Sequence, residues 1–205
     1  MVNRDEYDDY YKINHDDCEV KMNKEKVRTD LSLSKELSYL LRHCPESKHL
    51  TMDKHGWVKI SELITNAPEF TMENIKSIVE TDSKTRYSIS DDGEYIRANQ
   101  GHSIPVDLEL KPVTPPEVLY HGTVDRFLDS IKENGLIKGK RQYIHLSKDV
   151  ETALAVGSRR RGNPVILEVD SKMMKSDGFK FYCSENGVWL VQDPIPWKYL
   201  KIYKK

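Results

Sequence analysis

The feature that most restricts this chain is the change of pattern across PVTPPE, residues 112–117. Before it lie three helical patterns and a hairpin; after it, short strands alternate with two helical patterns. One repeating element cannot satisfy both halves, because helix and strand bury side chains at different periods. With Gln100 to Ser103, the proline-bearing stretch reads as a hinge between two lobes. The expected organisation is a mobile, polar extension over residues 1–30, a first lobe with its hinge over 31–110, and a second lobe over 111–205.

In the first lobe, Leu33, Leu37, Leu40, Leu41 and Cys44 fall on one stripe of a helix that Pro45 should end. At ~100° per residue Arg42 points away from the stripe and His43 lies off its edge, so both can reach solvent or a second lobe. DKHGWVKISELI then predicts a turn at Gly56, extended Trp57 and Val58, and a short helix capped by Ser61. A second short helix should start after Thr71 and bury Ile75, Ile78 and Val79. KTRYSIS and EYIRA alternate on either side of DDG, which is a hairpin signal. Three helices followed by a hairpin is the order of a winged-helix domain.

In the second lobe, VLYHGT predicts a strand running into a turn, VDRFLDSIKENG a helix closed by Gly135, YIHLS a strand and DVETALAVGS a helix. PVILEV, FKFYCS and VWLV should be three more strands with little between them. This is an α+β lobe without a G-x-G-x-x-G or G-x-x-x-x-G-K-[ST] phosphate loop, so any nucleotide site must be built differently.

Charge is distributed unevenly. Residues 1–30, 31–110 and 111–205 carry 6, 9 and 17 basic groups against 9, 13 and 11 acidic ones. The first lobe is therefore acidic, which disfavours a protein that grips a long nucleic-acid backbone but allows local recognition of a phosphate. Cys18, Cys44 and Cys183 have no ligand-like spacing, which argues against a disulfide framework or a zinc site. No apolar run reaches the ~20 residues of a membrane helix, and MVNRDEYDDYY is unlike a signal peptide. The expectation is a cytoplasmic protein, or a nuclear one if eukaryotic, with no membrane partner.

LLRH (40–43), HGWV (55–58), KTRY (84–87), IRANQGHS (96–103), LYHGT (119–123), RQYIHLS (141–147) and SENGVWL (184–190) occur in this order. Together they resemble the RNA 2'-phosphotransferases, often called tRNA 2'-phosphotransferases, over roughly residues 31 to 203. The resemblance implies a winged-helix lobe followed by a lobe with the fold of ADP-ribosyltransferases, and NAD as co-substrate without a metal. The RNA 2'-phosphate attacks the anomeric carbon of the nicotinamide ribose and expels nicotinamide. The ribose 2''-hydroxyl then attacks that phosphate, giving RNA with a 2'-hydroxyl and ADP-ribose 1'',2''-cyclic phosphate.

The family's Arg, His, Arg, Arg tetrad falls on Arg42, His43, Arg86 and Arg141. Guanidinium groups suit phosphate because they stay charged and bind two oxygens at once. His43, with an unperturbed pKa near ~6.5, is the member able to exchange a proton near neutrality. Because three members lie in the first lobe and Arg141 in the second, an active cleft is expected between them.

Taken singly, each has a plainer explanation: Arg42 and His43 complement a helix C-terminus, Arg86 and Arg97 are solvated strand residues, and Arg141 is a loop charge. The surrounding motifs favour the catalytic reading.

For NAD, the resemblance points to His121, Gly122 and His145, with Gly122 allowing close approach to the carboxamide and hydroxyls from Thr123 and Ser147. It assigns an apolar residue, Val188, where many ADP-ribosyltransferases use glutamate, although Glu185 is nearby.

RNA contacts are expected from Gln100, His102 and Ser103, with a short footprint on a tRNA-like RNA carrying an internal 2'-phosphate. Trp57 and Trp189 read as core, and Arg159 to Arg161 as mainly a solvated helix end, the alternative being that one of these arginines touches NAD phosphate or RNA. A monomer is expected. The rival functions are an ADP-ribosyltransferase capping phosphorylated RNA or DNA ends, and a non-catalytic winged-helix RNA-binding module.

Overall fold

A computed structural model describes residues 30–204. The extension expected over residues 1–30 lies, but for Asp30, outside the described residues. The described chain forms two units, residues 30–109 and 110–204, each with its own core.

In the N-terminal unit, α1 (Asp30–Arg42) buries Leu33, Leu37, Leu40 and Leu41, and Cys44 just beyond it is buried too. The His43 N–H still donates to the Tyr39 carbonyl at 2.9 Å, so the helical ladder carries His43 before the chain leaves it. Proline has no N–H and disfavours helical geometry in the residue before it. Accordingly Cys44 adopts φ −151°, ψ 61°, and Pro45–Lys48 form a separate 3-10 turn.

β1 (Val58–Lys59) leads directly into α2 (Ile60–Asn66). The expected cap at Ser61 is two residues late, since Lys59 is the N-cap; Ile60 is already helical and buried, and its N–H donates to the Glu94 carbonyl at 2.8 Å. The sheet thus satisfies a donor that a capping side chain would otherwise take. α3 (Met72–Thr81) follows the sequence reading: Thr71 and Asn74 exchange side-chain and backbone hydrogen bonds in a capping box. Ile75 and Ile78 are buried, with Val79 packed beside them. β2 (Tyr87–Ile89) and β3 (Tyr95–Ala98) form the hairpin, pairing Tyr87 with Ala98 and Ile89 with Ile96, and β1 pairs on the other edge of β3.

Neither hinge segment is a free linker. Gly101, His102, Val106 and Leu108 are buried, and Asp107 N–H donates to the Lys54 carbonyl at 2.8 Å. PVTPPE is tied to the C-terminal unit, where Val113 N–H donates to Phe181 O at 2.8 Å and Ser171 Oγ to Pro116 O at 2.7 Å. Buried groups and backbone hydrogen bonds fix both stretches despite their turn-rich composition.

The C-terminal unit runs β4 (Val118–Val124), a 3-10 turn (Asp125–Phe127), α4 (Leu128–Asn134), β5 (Ile144–Leu146), α5 (Val150–Gly157), β6 (Pro164–Asp170), α6 (Ser171–Ser176), β7 (Phe181–Cys183), β8 (Trp189–Val191) and β9 (Leu200–Ile202). Its strands make two antiparallel sheets, ordered β4-β6-β9 and β5-β8-β7. Tyr120 and Ser147 join β4 to the end of β5 through reciprocal backbone hydrogen bonds of 2.8 and 2.7 Å. The helix between β6 and β7 corrects the expectation of consecutive strands. It has only six residues, too few to display a periodicity, and Asp170 caps it by accepting from Met173 N–H at 2.8 Å. Likewise, β4 does not turn at Thr123 but continues to Val124, paired with Pro164.

Among the described residues no helix is long and apolar enough to cross a membrane, and no group of His, Cys, Asp and Glu side chains could hold a metal ion.

Candidate active site

In the N-terminal unit, the end of α1 is held by the segment after β3. Ser103 N–H donates to the Arg42 carbonyl at 3.0 Å, and Ser103 Oγ lies 2.9 Å from His43 Nδ1. Gly101, at φ +92°, lies beside the Arg42 side chain, where a Cβ would make ordinary contact at 3.5 Å from Nε. Gln100 is half-buried just before it. Between Gly101 and Ser103, the His102 ring is only 2% exposed, and neither of its nitrogens has a hydrogen-bond partner among the described residues. Burial, and then the charges of Arg42, His43 and Arg97, lower its pKa to about 3. His102, expected from the sequence to contact RNA, is therefore neutral and buried near Arg42, His43 and Arg97.

Arg86 lies immediately before β2 and is not a solvated strand residue. Its Nη1 donates to Asp82 Oδ1 at 2.5 Å, and its backbone N–H donates to Asp82 Oδ2, also at 2.5 Å. The Asp82 side chain is 4% exposed against 33% for Arg86, so a buried carboxylate anchors a partly exposed guanidinium. Arg97, on β3, stacks its guanidinium over Trp57 at 4.5 Å from the ring centroid. Trp57 is thus a half-buried platform for an arginine.

In the C-terminal unit, His121 on β4 donates from Nδ1 to the His145 carbonyl on β5 at 3.0 Å. A carbonyl can only accept, which assigns the proton to Nδ1 and leaves Nε2 an acceptor. Burial first, then the charges of Arg160 and Arg141, lower the His121 pKa to about 4 against the opposing effect of that hydrogen bond. His145 and Ser147 are half-buried on the same edge. Arg141, also half-buried, follows a turn in which its N–H donates to Lys138 O at 3.2 Å. Val188 is half-buried and bonded through its backbone to Ser184, whereas Glu185 is exposed.

Gly122 turns its Cα face toward a helix, and the Thr123 side chain is buried. A Cβ on Gly122 would stand 1.8 Å from the Ala153 carbonyl oxygen, and one on Gly157 2.8 Å from the Thr123 carbonyl oxygen. The paired glycines let α5 cross directly over β4, and the Thr123 side chain is buried beneath the crossing.

The model of the RNA 2'-phosphotransferase, Tpt1 / KptA family matches residues 28–193. The chain belongs to this family. A relative from Acaryochloris marina, named "Probable RNA 2'-phosphotransferase", is 52% identical, the match spanning 82% of this chain and 94% of the relative. Relatives of the same name from Nostoc punctiforme and Fusobacterium nucleatum are 46% and 47% identical, spanning 83% and 84% of this chain and 96% and 98% of their own lengths.

For this RNA 2'-phosphotransferase family member, sequence reasoning missed one supporting residue. Asp82, four residues before Arg86, looked like one acid among many; the D-x-x-x-R spacing after a helix was the available signal. Within the basic run singled out from the sequence, Arg159 and Arg161 are exposed, while Arg160 lies 5.2 Å over the Phe127 ring and adds its charge to the surroundings of His121.

Proposed function

We propose that the chain removes an internal 2'-phosphate from RNA in an NAD-dependent reaction, through a winged-helix lobe and an ADP-ribosyltransferase-like lobe. The observation that carries this reading is the gathering of Arg42 and His43 against the turn of Gly101, buried His102 and Ser103 at the end of α1. Positive charge gathered at a folded turn suits a phosphomonoester, which brings up to two negative charges and three acceptor oxygens. The names carried by relatives at about half identity point to the same substrate class.

The proposed division of labour follows. Arg42, Arg86 and Arg141 hold the RNA 2'-phosphate while its oxygen displaces nicotinamide from the anomeric carbon. His43 then serves the second displacement, in which the ribose 2''-hydroxyl attacks the phosphate. His121 Nε2, an acceptor in a pocket of positive charge, suits a ribose hydroxyl, and Arg160 and Arg141 suit the pyrophosphate. Gln100 contributes to RNA binding, and His145 and Ser147 to NAD binding.

The test is incubation with NAD and an oligoribonucleotide bearing one internal 2'-phosphate. The expected products are nicotinamide, RNA with a 2'-hydroxyl and ADP-ribose 1'',2''-cyclic phosphate. Retention of ADP-ribose on the nucleic acid as the end product would indicate capping instead.

A further inference from the structure

The 2.9 Å contact between Ser103 Oγ and His43 Nδ1 gives Ser103 a use other than RNA binding. We propose that Ser103 is a positioning residue for the second step, orienting His43 so that its Nε2 faces the transferring phosphate. This rests on the function proposed above.

The segment bearing Ser103 is fixed at both ends of the contact. Its N–H is bonded to the Arg42 carbonyl, Gly101 lies against the Arg42 side chain, and His102 between them is buried. Gly101, at φ +92°, holds a backbone conformation that glycine adopts at no steric cost. The hydroxyl is therefore delivered to His43 by backbone whose position is already set. Tyr39, one turn earlier on α1, lies near the imidazole, with ring centroids 6.1 Å apart.

In this proposal the Ser103 hydroxyl accepts from His43 Nδ1–H, which leaves the lone pair on Nε2. In the second step Nε2 takes the proton of the ribose 2''-hydroxyl as that oxygen forms its bond to phosphorus. The bond from phosphorus to the RNA 2'-oxygen breaks, and His43 returns the proton to the leaving oxygen. The imidazole ends as it began, and one P–O bond has replaced another. The first step needs no such transfer, because an anionic phosphate oxygen attacks and nicotinamide leaves as a neutral molecule. Loss of Ser103 should therefore fall on the second step alone.

The experiment follows both steps under single-turnover conditions with NAD and a labelled 2'-phosphorylated RNA. In Ser103→Ala, nicotinamide release should stay within about twofold of the unsubstituted protein. Release of dephosphorylated RNA should slow by at least about tenfold, so that RNA carrying ADP-ribose on its 2'-phosphate accumulates. Ser103→Thr, which keeps the hydroxyl, should restore the second step, and the His43 ring ¹⁵N shifts should show the Nδ1–H tautomer depleted only in the alanine variant. Unchanged second-step rates and ring shifts in Ser103→Ala would overturn the proposal, as would an equal slowing of both steps that threonine does not rescue. If the unsubstituted protein releases no nicotinamide from NAD and this RNA, the proposed function itself fails and the inference falls with it.

Discussion

A Cβ on Gly122 would stand 1.8 Å from the carbonyl oxygen of Ala153, so β4 and α5 can cross only where a side chain is missing. Gly122→Ala must therefore force the helix from the sheet, and backbone on both sides leaves no flexible atom to give way. Overpacking of this kind costs typically ~1–3 kcal/mol and occasionally more, and the upper end is expected here. Chemical denaturation checks it. A variant with full stability but weakened NAD affinity would mean that the glycine serves the ligand after all.

The helices of the N-terminal unit were legible because their signals are local: the leucine stripe of α1 and the Thr71 cap of α3 each lie within a few turns of chain. The backbone ties of the hinge stretches were hidden for the opposite reason. Gln100 to Ser103 has the composition of a turn, and only tertiary contacts with Arg42 and His43, about sixty residues earlier, make it part of the site. Gly122 and His102 were picked out as important residues, but their surroundings were invisible in one dimension. A glycine looks the same whether a ligand or a helix backbone approaches it, and burial of His102 depends on Gly56, Arg42 and Arg97 meeting around it.

Asp82 should matter through Arg86. Its buried carboxylate holds the Arg86 Nη1 and backbone N–H, and Asp82→Asn removes the charge while keeping the shape. Charge-assisted hydrogen bonds contribute about 1.5–3 kcal/mol, so a less well-anchored Arg86 should raise KM for RNA by roughly tenfold. Arg86→Ala should do more, and combining the two should add little beyond Arg86→Ala alone, because they act on one contact. Steady-state kinetics on the three variants test this; independent, additive effects would separate Asp82 from RNA binding.

Stability should fall in mild acid. His102 and His121 have folded-state pKa values lowered from 6.5 to about 3 and about 4. Below 6.5 the unfolded chain takes up protons that the folded one refuses, so folded stability is fully present above that pH and declines as pH drops toward 4. The loss should reach a few kcal/mol (~1.4 per pKa unit per group at the limit) between pH 7 and 5 and below. Urea midpoints across this range, repeated with His102→Gln, provide the check. The substitution should flatten the pH dependence, and an unchanged slope would show that His102 is not a source of it.

Arg42 separates a catalytic guanidinium from an ordinary helix end. Arg42→Lys keeps a positive charge where the α1 macrodipole favours one, and its stem can still lie along Gly101. Lysine loses the planar fork of donors, so it cannot bind two phosphate oxygens in one plane. If Arg42 serves only the helix, turnover and melting temperature should both be nearly unchanged. If it stabilises the phosphate during transfer, turnover should fall at least ~100-fold, which corresponds to roughly 2.7 kcal/mol of transition-state stabilisation, while the melting temperature holds. Single-turnover transfer to 2'-phosphorylated RNA, with thermal denaturation in parallel, distinguishes the two. Unchanged turnover would return Arg42 to a structural role and leave Arg86 and Arg141 to neutralise the phosphate.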